Sequence, residues 1–165
     1  MLALTSEAAK WFLPFAIPIS LWVAWSDLKF MKIPNKAVLA LTLTFVIVGF
    51  FVLPLTEYLW RYLHLVVVLV IGFALNMARL IGAGDAKFAA AMAPFVPLAD
   101  FRTFRTLFVL VLIAAFITHR VFRAIPFARN MAPDWVSWGS KKFPMGTALG
   151  GGLSIYLIFG FLYGA

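Results

Sequence analysis

Two aspartates, Asp27 in "WVAWSDLKFMKIPN" and Asp85 in "LIGAGDAKF", stand at the margins of long apolar stretches in a chain of 165 residues that has only six acidic ones. A carboxylate beside a hydrophobic segment is costly unless it is paired, caps a helix or works. Two of them can hydrolyse an amide together. An ionised aspartate takes a proton from water, a protonated partner donates to the scissile carbonyl, and the water oxygen adds to carbon. The same pair could instead bind a cation or relay protons in a small transporter. Singly, Asp85 reads as the N-cap of a helix, where free N–H groups and the dipole favour an anion. Asp27 ends an apolar span, where the helix C-terminus disfavours an anion, so stability gives no reason for it to be there. By that contrast Asp85 is the expected base and Asp27 the acid, titrating as a pair.

These aspartates, 58 positions apart (85 minus 27), must be positioned by elements that suit a membrane. The chain is 64% hydrophobic and 12% charged, with mean hydropathy +1.01, whereas soluble domains carry about 25% charge. Crossing the hydrocarbon takes roughly 20 apolar residues as helix. Runs of that kind predict an all-α, polytopic integral membrane bundle with six transmembrane helices, roughly 9–27, 37–55, 62–81, 85–100, 104–119 and 146–164, in one domain spanning 1–165. The fourth is short, Ala-rich and interrupted by Pro94 and Pro97, which places it inside the bundle. The opening residues lack a basic stretch before the apolar run and a small-residue cleavage site, so they read as a retained helix.

Orientation follows from the basic residues. Lys29, Lys32, Lys36, Arg79, Lys87, Arg120, Arg123, Arg129, Lys141 and Lys142 fall on one side; Lys10, Arg61, Arg102 and Arg105 fall on the other. The richer side is expected to be cytoplasmic, with both termini extracytoplasmic. Asp27, Asp85 and Asp134 are the acids on the cytoplasmic side. The net charge of +8 then reflects loops facing anionic lipid, and nucleic acid is set aside as a partner. The loop 120–145 interleaves arginines with Phe122, Phe127, Trp135 and Trp138, a pattern suited to the headgroup layer or to gating a substrate.

The surroundings of the aspartates add detail. Gly82 and Gly84 permit positive φ and close approach of another chain. Pro34 and Asn35 stop one helix and start the next, Asn35 as N-cap. Lys87 lacks P-loop spacing, and is expected to meet lipid phosphate or tune Asp85. Asn76, polar inside the third span, is expected either to bond another helix or to lie near the site. Gly146 and Gly150 form a G-x-x-x-G packing face, and Gly146 could also widen a substrate entrance. His64 and His119 share no ligand spacing, the H-E-x-x-H of metalloproteases is missing and there is no Cys, so neither metal nor cofactor is expected. "GLSI" at 152–155 lacks the second glycine of a rhomboid-like nucleophile loop.

"SDLKFMKIPN" and "GAGDAKF" resemble the two signatures of the type IV prepilin peptidases, membrane aspartyl proteases with a G-x-G-D motif shared with preflagellin peptidases and, more distantly, presenilin. "KKFPMGTALGGG" is similar to that family's P-x-G entry into the last helix, here Pro144 and Gly146. The resemblance runs from about residue 20 to 155. It implies that Asp27 and Asp85 are the catalytic pair. It also implies a multi-pass protein of the bacterial inner membrane that cuts the basic leader of a prepilin at the cytoplasmic face, just ahead of the substrate's hydrophobic N-terminal helix. Larger members carry an additional segment with paired C-x-x-C zinc ligands, linked to N-methylation. Its absence here resembles the compact Flp/Tad-type peptidases. A preflagellin-type peptidase is the nearest alternative within this resemblance, and an ion or proton-coupled transporter the alternative outside it.

Overall fold

A computed structural model describes residues 1–165. Seven α-helices follow in order: α1 (Ser6–Phe30), α2 (Asn35–Val52), α3 (Leu55–Met77), α4 (Ala83–Met92), α5 (Phe101–Ala124), α6 (Pro126–Met131) and α7 (Met145–Tyr163). Five of them, α1, α2, α3, α5 and α7, are long and apolar enough to cross a membrane. The protein is thus a multi-pass membrane protein.

Of the six expected spans, the fourth, expected to be short and interrupted, is not long enough to cross on its own. Helix α4 has 10 residues, about 15 Å at 1.5 Å per residue, half the hydrocarbon thickness. Pro94 has no N–H and crowds the preceding turn, so the helix gives way to 3-10 turns at Ala93–Phe95 and Leu98–Asp100. The broken segment still returns the chain from the end carrying Asp85 to the end carrying the termini, because the Asp100 carboxylate accepts the N–H groups of Ala3 (2.7 Å) and Leu4 (3.0 Å) and the Tyr156 hydroxyl (2.7 Å). Leu2 and Gly164 form a β-bridge beside it, so the two termini lie at one end.

Two other boundaries move for identifiable reasons. The third helix begins at Leu55 rather than 62 and takes in Glu57 and Arg61, charges that seemed to belong outside. Arg61 is nonetheless only 1% exposed. Its guanidinium donates to Glu57 Oε1 and to the carbonyls of Pro94 and Phe95, and a buried charge needs that degree of satisfaction. The fifth runs past His119 to Ala124; Arg120 and Arg123 lie on its last turns, where long basic side chains reach the interface while their stems stay apolar.

Helix α7 is the most buried of the five and packs along α1. Glycine makes this contact possible: a Cβ at Gly150 would lie 2.7 Å from the carbonyl oxygen of Ser20, and one at Gly160 would lie 3.2 Å from Ala9 Cβ. The G-x-x-x-G expectation for Gly146 and Gly150 is met as backbone-close packing on α1. Nearer the termini, Phe12, Phe45, Tyr58 and Phe95 interlock through edge and stacked contacts at centroid distances of 4.8–6.1 Å, tying α1, α2 and α3 to the turn after α4.

Candidate active site

Asp27 lies three residues before the end of α1 and is 5% exposed. Its Oδ2 accepts the backbone N–H of Gly146 at 2.6 Å, a short bond of the charge-assisted kind. Pro144 precedes α7 as its N-cap, so Gly146 belongs to the first turn and its N–H is one of the groups that the helix cannot satisfy itself. The expectation that Asp27 has only a helix C-terminus for company is therefore overturned. The N-terminus of α7 faces it, so each aspartate meets a helix start and the helix ends alone no longer tell acid from base.

Asp85 occupies the third position of α4, not the N-cap, which is Gly82. Its Oδ2 reaches back to accept the Gly82 N–H at 3.1 Å, half of a capping box. Gly82 and Gly84 do not use positive φ; the left-handed residues are Met31 (φ 53°) and Arg79 (φ 61°), each at the end of a helix. What the glycines supply is proximity. A Cβ on Gly82 would come 2.7 Å from Asp85 Oδ2, and one on Gly84 would come 3.2 Å from Ile33 Cβ.

The Gly84–Ile33 contact seats the start of α4 on the α1–α2 turn and so brings the two aspartates to one end of the bundle. A second tie crosses the same joint: Lys87 Nζ donates to Asn35 Oδ1 at 3.3 Å. Asn35 is therefore no N-cap; Pro34 holds that position without a side-chain bond. Lys87 pairs with an amide rather than with Asp85. Asn76 bonds within its own corner, donating to the Ile81 carbonyl at 2.9 Å instead of crossing to another helix.

Asp85 lies within electrostatic reach of Asp27, and Lys142 within reach of Asp85. Neither aspartate forms an ion pair; the single salt bridge is Glu57–Arg61, at the other end. In a chain of net charge +8, both carboxylates lie at the end richest in lysine and arginine without forming a salt bridge. Each has one oxygen held by a backbone N–H and its Oδ1 uncommitted. No three His, Asp or Glu side chains gather as a metal site would require. Both acids sit at helix ends, whereas a transport path would place them near mid-bilayer.

A model of the type IV leader peptidase family matches residues 15–122, a stretch that contains both aspartates and their flanking motifs. The chain belongs to the type IV leader peptidase family. Searches among curated proteins and among solved structures found no match. Membership implies a peptidase and a prepilin-type substrate. The matched stretch ends before Pro144 and Gly146, so the contact of α7 with Asp27 is contributed from outside it.

Sequence reasoning did not find two features of this leader peptidase. The positive charge of Lys142 acts on Asp85 across 57 positions (142 minus 85); its place just ahead of Pro144 was the available signal. The Asp100 clasp on Ala3, Leu4 and Tyr156 could not be foreseen, because its partners are two backbone amides and a tyrosine from opposite ends of the chain.

Proposed function

We propose that the protein is a membrane aspartyl endopeptidase in which Asp27 and Asp85 together cleave the leader of a type IV prepilin of the Flp/Tad-like class, at the cytoplasmic face of the bacterial inner membrane. The observation that carries this reading is the pair itself: two unpaired carboxylates at one end of the bundle, each anchored through one oxygen by an amide of a helix start. One proton is shared by the pair. The ionised member takes a proton from water, whose oxygen adds to the scissile carbonyl carbon. The protonated member gives its proton to the carbonyl oxygen. As the tetrahedral gem-diol collapses, one hydroxyl returns its proton to the aspartate that protonated the carbonyl, the C–N bond breaks, and the proton taken from water goes to the leaving amine, so the pair again holds one proton.

Cytoplasmic placement is supported by the ten basic residues at the aspartate end against four at the other, and it sets both termini outside. Being basic itself, that end offers little attraction to a basic leader beyond the aspartates. The substrate's apolar helix must then contribute most of the docking energy.

The test is direct. Purified protein in phospholipid vesicles is incubated with a prepilin bearing its leader, and the products are weighed by mass spectrometry. A single cut just ahead of the apolar helix is expected. A folded protein that leaves the prepilin intact contradicts the proposal.

A further inference from the structure

Between α3 and α5 lies an open apolar groove of about 500 Å³. Helix α3 packs on α4, and α5 packs on α7, so the floor of the groove is α4 and the turn that follows it, with Leu149 of α7 closing one side. Fourteen of its sixteen lining residues are hydrophobic, His64 is among the other two, and none is Asp, Glu, Lys or Arg. From Trp60 to Ile71 its α3 wall covers eleven steps, about 17 Å at 1.5 Å per residue, or three helical turns.

The position of its inner end is what gives the groove meaning. Ala89 and Ala93 on the floor follow Asp85 at intervals of four, so the face of α4 that carries the carboxylate continues as the floor. Leu149 stands three residues beyond Gly146, whose N–H holds Asp27. Two walls of the groove thus lead, within one helical turn, to the two aspartates. A second groove of similar volume, bounded by Glu7, Trp11 and Phe51, lies at the terminal end of α1 and α2, remote from both.

We infer that the α3–α4–α5 groove receives the apolar helix of the leader-bearing substrate and that Ala89 sets how closely that helix approaches Asp85. This rests on the peptidase reading above. A helix lying there delivers an uncharged backbone amide to the carboxylates as it leaves the groove. A phospholipid chain in the same place would bring its anionic phosphate against Asp85. A groove without Asp, Glu, Lys or Arg and with a wall three turns long suits a segment without charges for about eleven residues, and the small side chain of Ala89 leaves the backbone of that segment room next to the acid.

The experiment compares two substrates in vesicles of phosphatidylethanolamine and phosphatidylglycerol: the full prepilin, and a short peptide that spans the cut but lacks the helix. Ala89→Phe is expected to raise KM for the prepilin at least about tenfold and to lower kcat/KM for the short peptide by a clearly smaller factor. In the otherwise unaltered protein, a photo-cross-linking residue at Val68 is expected to capture the prepilin helix, and one at Ile47, in the remote groove, is not. An unchanged prepilin KM in Ala89→Phe, or cross-links from Val68 to lipid alone, overturns the groove assignment while prepilin cleavage by the wild type still stands. Should Ala89→Phe lose both activities together, capture from Val68 decides. A wild type that cuts neither substrate removes the peptidase reading and the groove assignment with it.

Discussion

Gly146→Ala tests how Asp27 is held. The added methyl would stand 2.8 Å from Asp27 Cβ, 3.0 Å from its Oδ2 and 3.1 Å from Val23 Cγ1. Carbon atoms in contact prefer about 3.5–4.0 Å, so the start of α7 must retreat by about 0.7 Å (3.5 minus 2.8). The Gly146 N–H to Oδ2 bond, now 2.6 Å, then lengthens to about 3.3 Å if the retreat lies along it, beyond the usual range for N–H···O. Overpacking costs about 1–3 kcal/mol and loss of a bond to a charged group about 1.5–3 kcal/mol. The two share one displacement and do not add, so about 2–3 kcal/mol of stability is expected to go. Misplacement on the order of 1 Å in a catalytic site costs about 100-fold, so kcat is expected to fall by roughly 30- to 100-fold. Gly150→Ala is the control. Its methyl meets the Ser20 carbonyl oxygen at 2.7 Å, one turn along the same helix, with no bond to Asp27 at stake. Cleavage at saturating prepilin and thermal unfolding are measured for both. If Gly146→Ala keeps kcat within about twofold of wild type, or Gly150→Ala loses as much kcat at equal stability, the positioning argument is wrong.

Two further substitutions separate scaffold from site. Asp100→Asn replaces an acceptor-only carboxylate, bonded to the Ala3 and Leu4 amides and the Tyr156 hydroxyl, with a group that has one acceptor oxygen and two competing donors. A loss of about 3 kcal/mol is expected in thermal unfolding, with earlier proteolysis of the N-terminal residues and unchanged kcat per folded molecule. Lys87→Ala removes only the exposed 3.3 Å bond to Asn35; stability within about 0.5 kcal/mol of wild type and near-normal cleavage are expected, and a large loss would show that Lys87 acts on Asp85.

Much of the molecule was legible in its sequence because membranes impose simple lengths and motifs. The apolar runs gave the five long helices, and the glycines of α7 gave its close packing on α1. Where the reading slipped, charges had found partners that a linear pattern does not display. Glu57 and Arg61 looked like a loop and are a satisfied pair inside α3. Pro94 marked a break, but not that the segment after it bends as 3-10 turns to present Asp100 to the N-terminal strand of residues. At the site, the two aspartates and the Pro144–Gly146 entry were legible from residue type and spacing. Their connection was not: a hydrogen bond across 119 positions (146 minus 27) requires α7 to start beside the end of α1, which only packing decides.

The central claim is that Asp27 and Asp85 act as one catalytic pair. Prepilin cleavage by purified Asp27→Asn and Asp85→Asn, each shown to be folded, is the measurement that bears on it most directly. Loss of at least about 1000-fold in kcat for each single variant, with no further loss in the double, is expected of groups that work as a unit. Either single variant cutting at a rate near wild type would contradict the account.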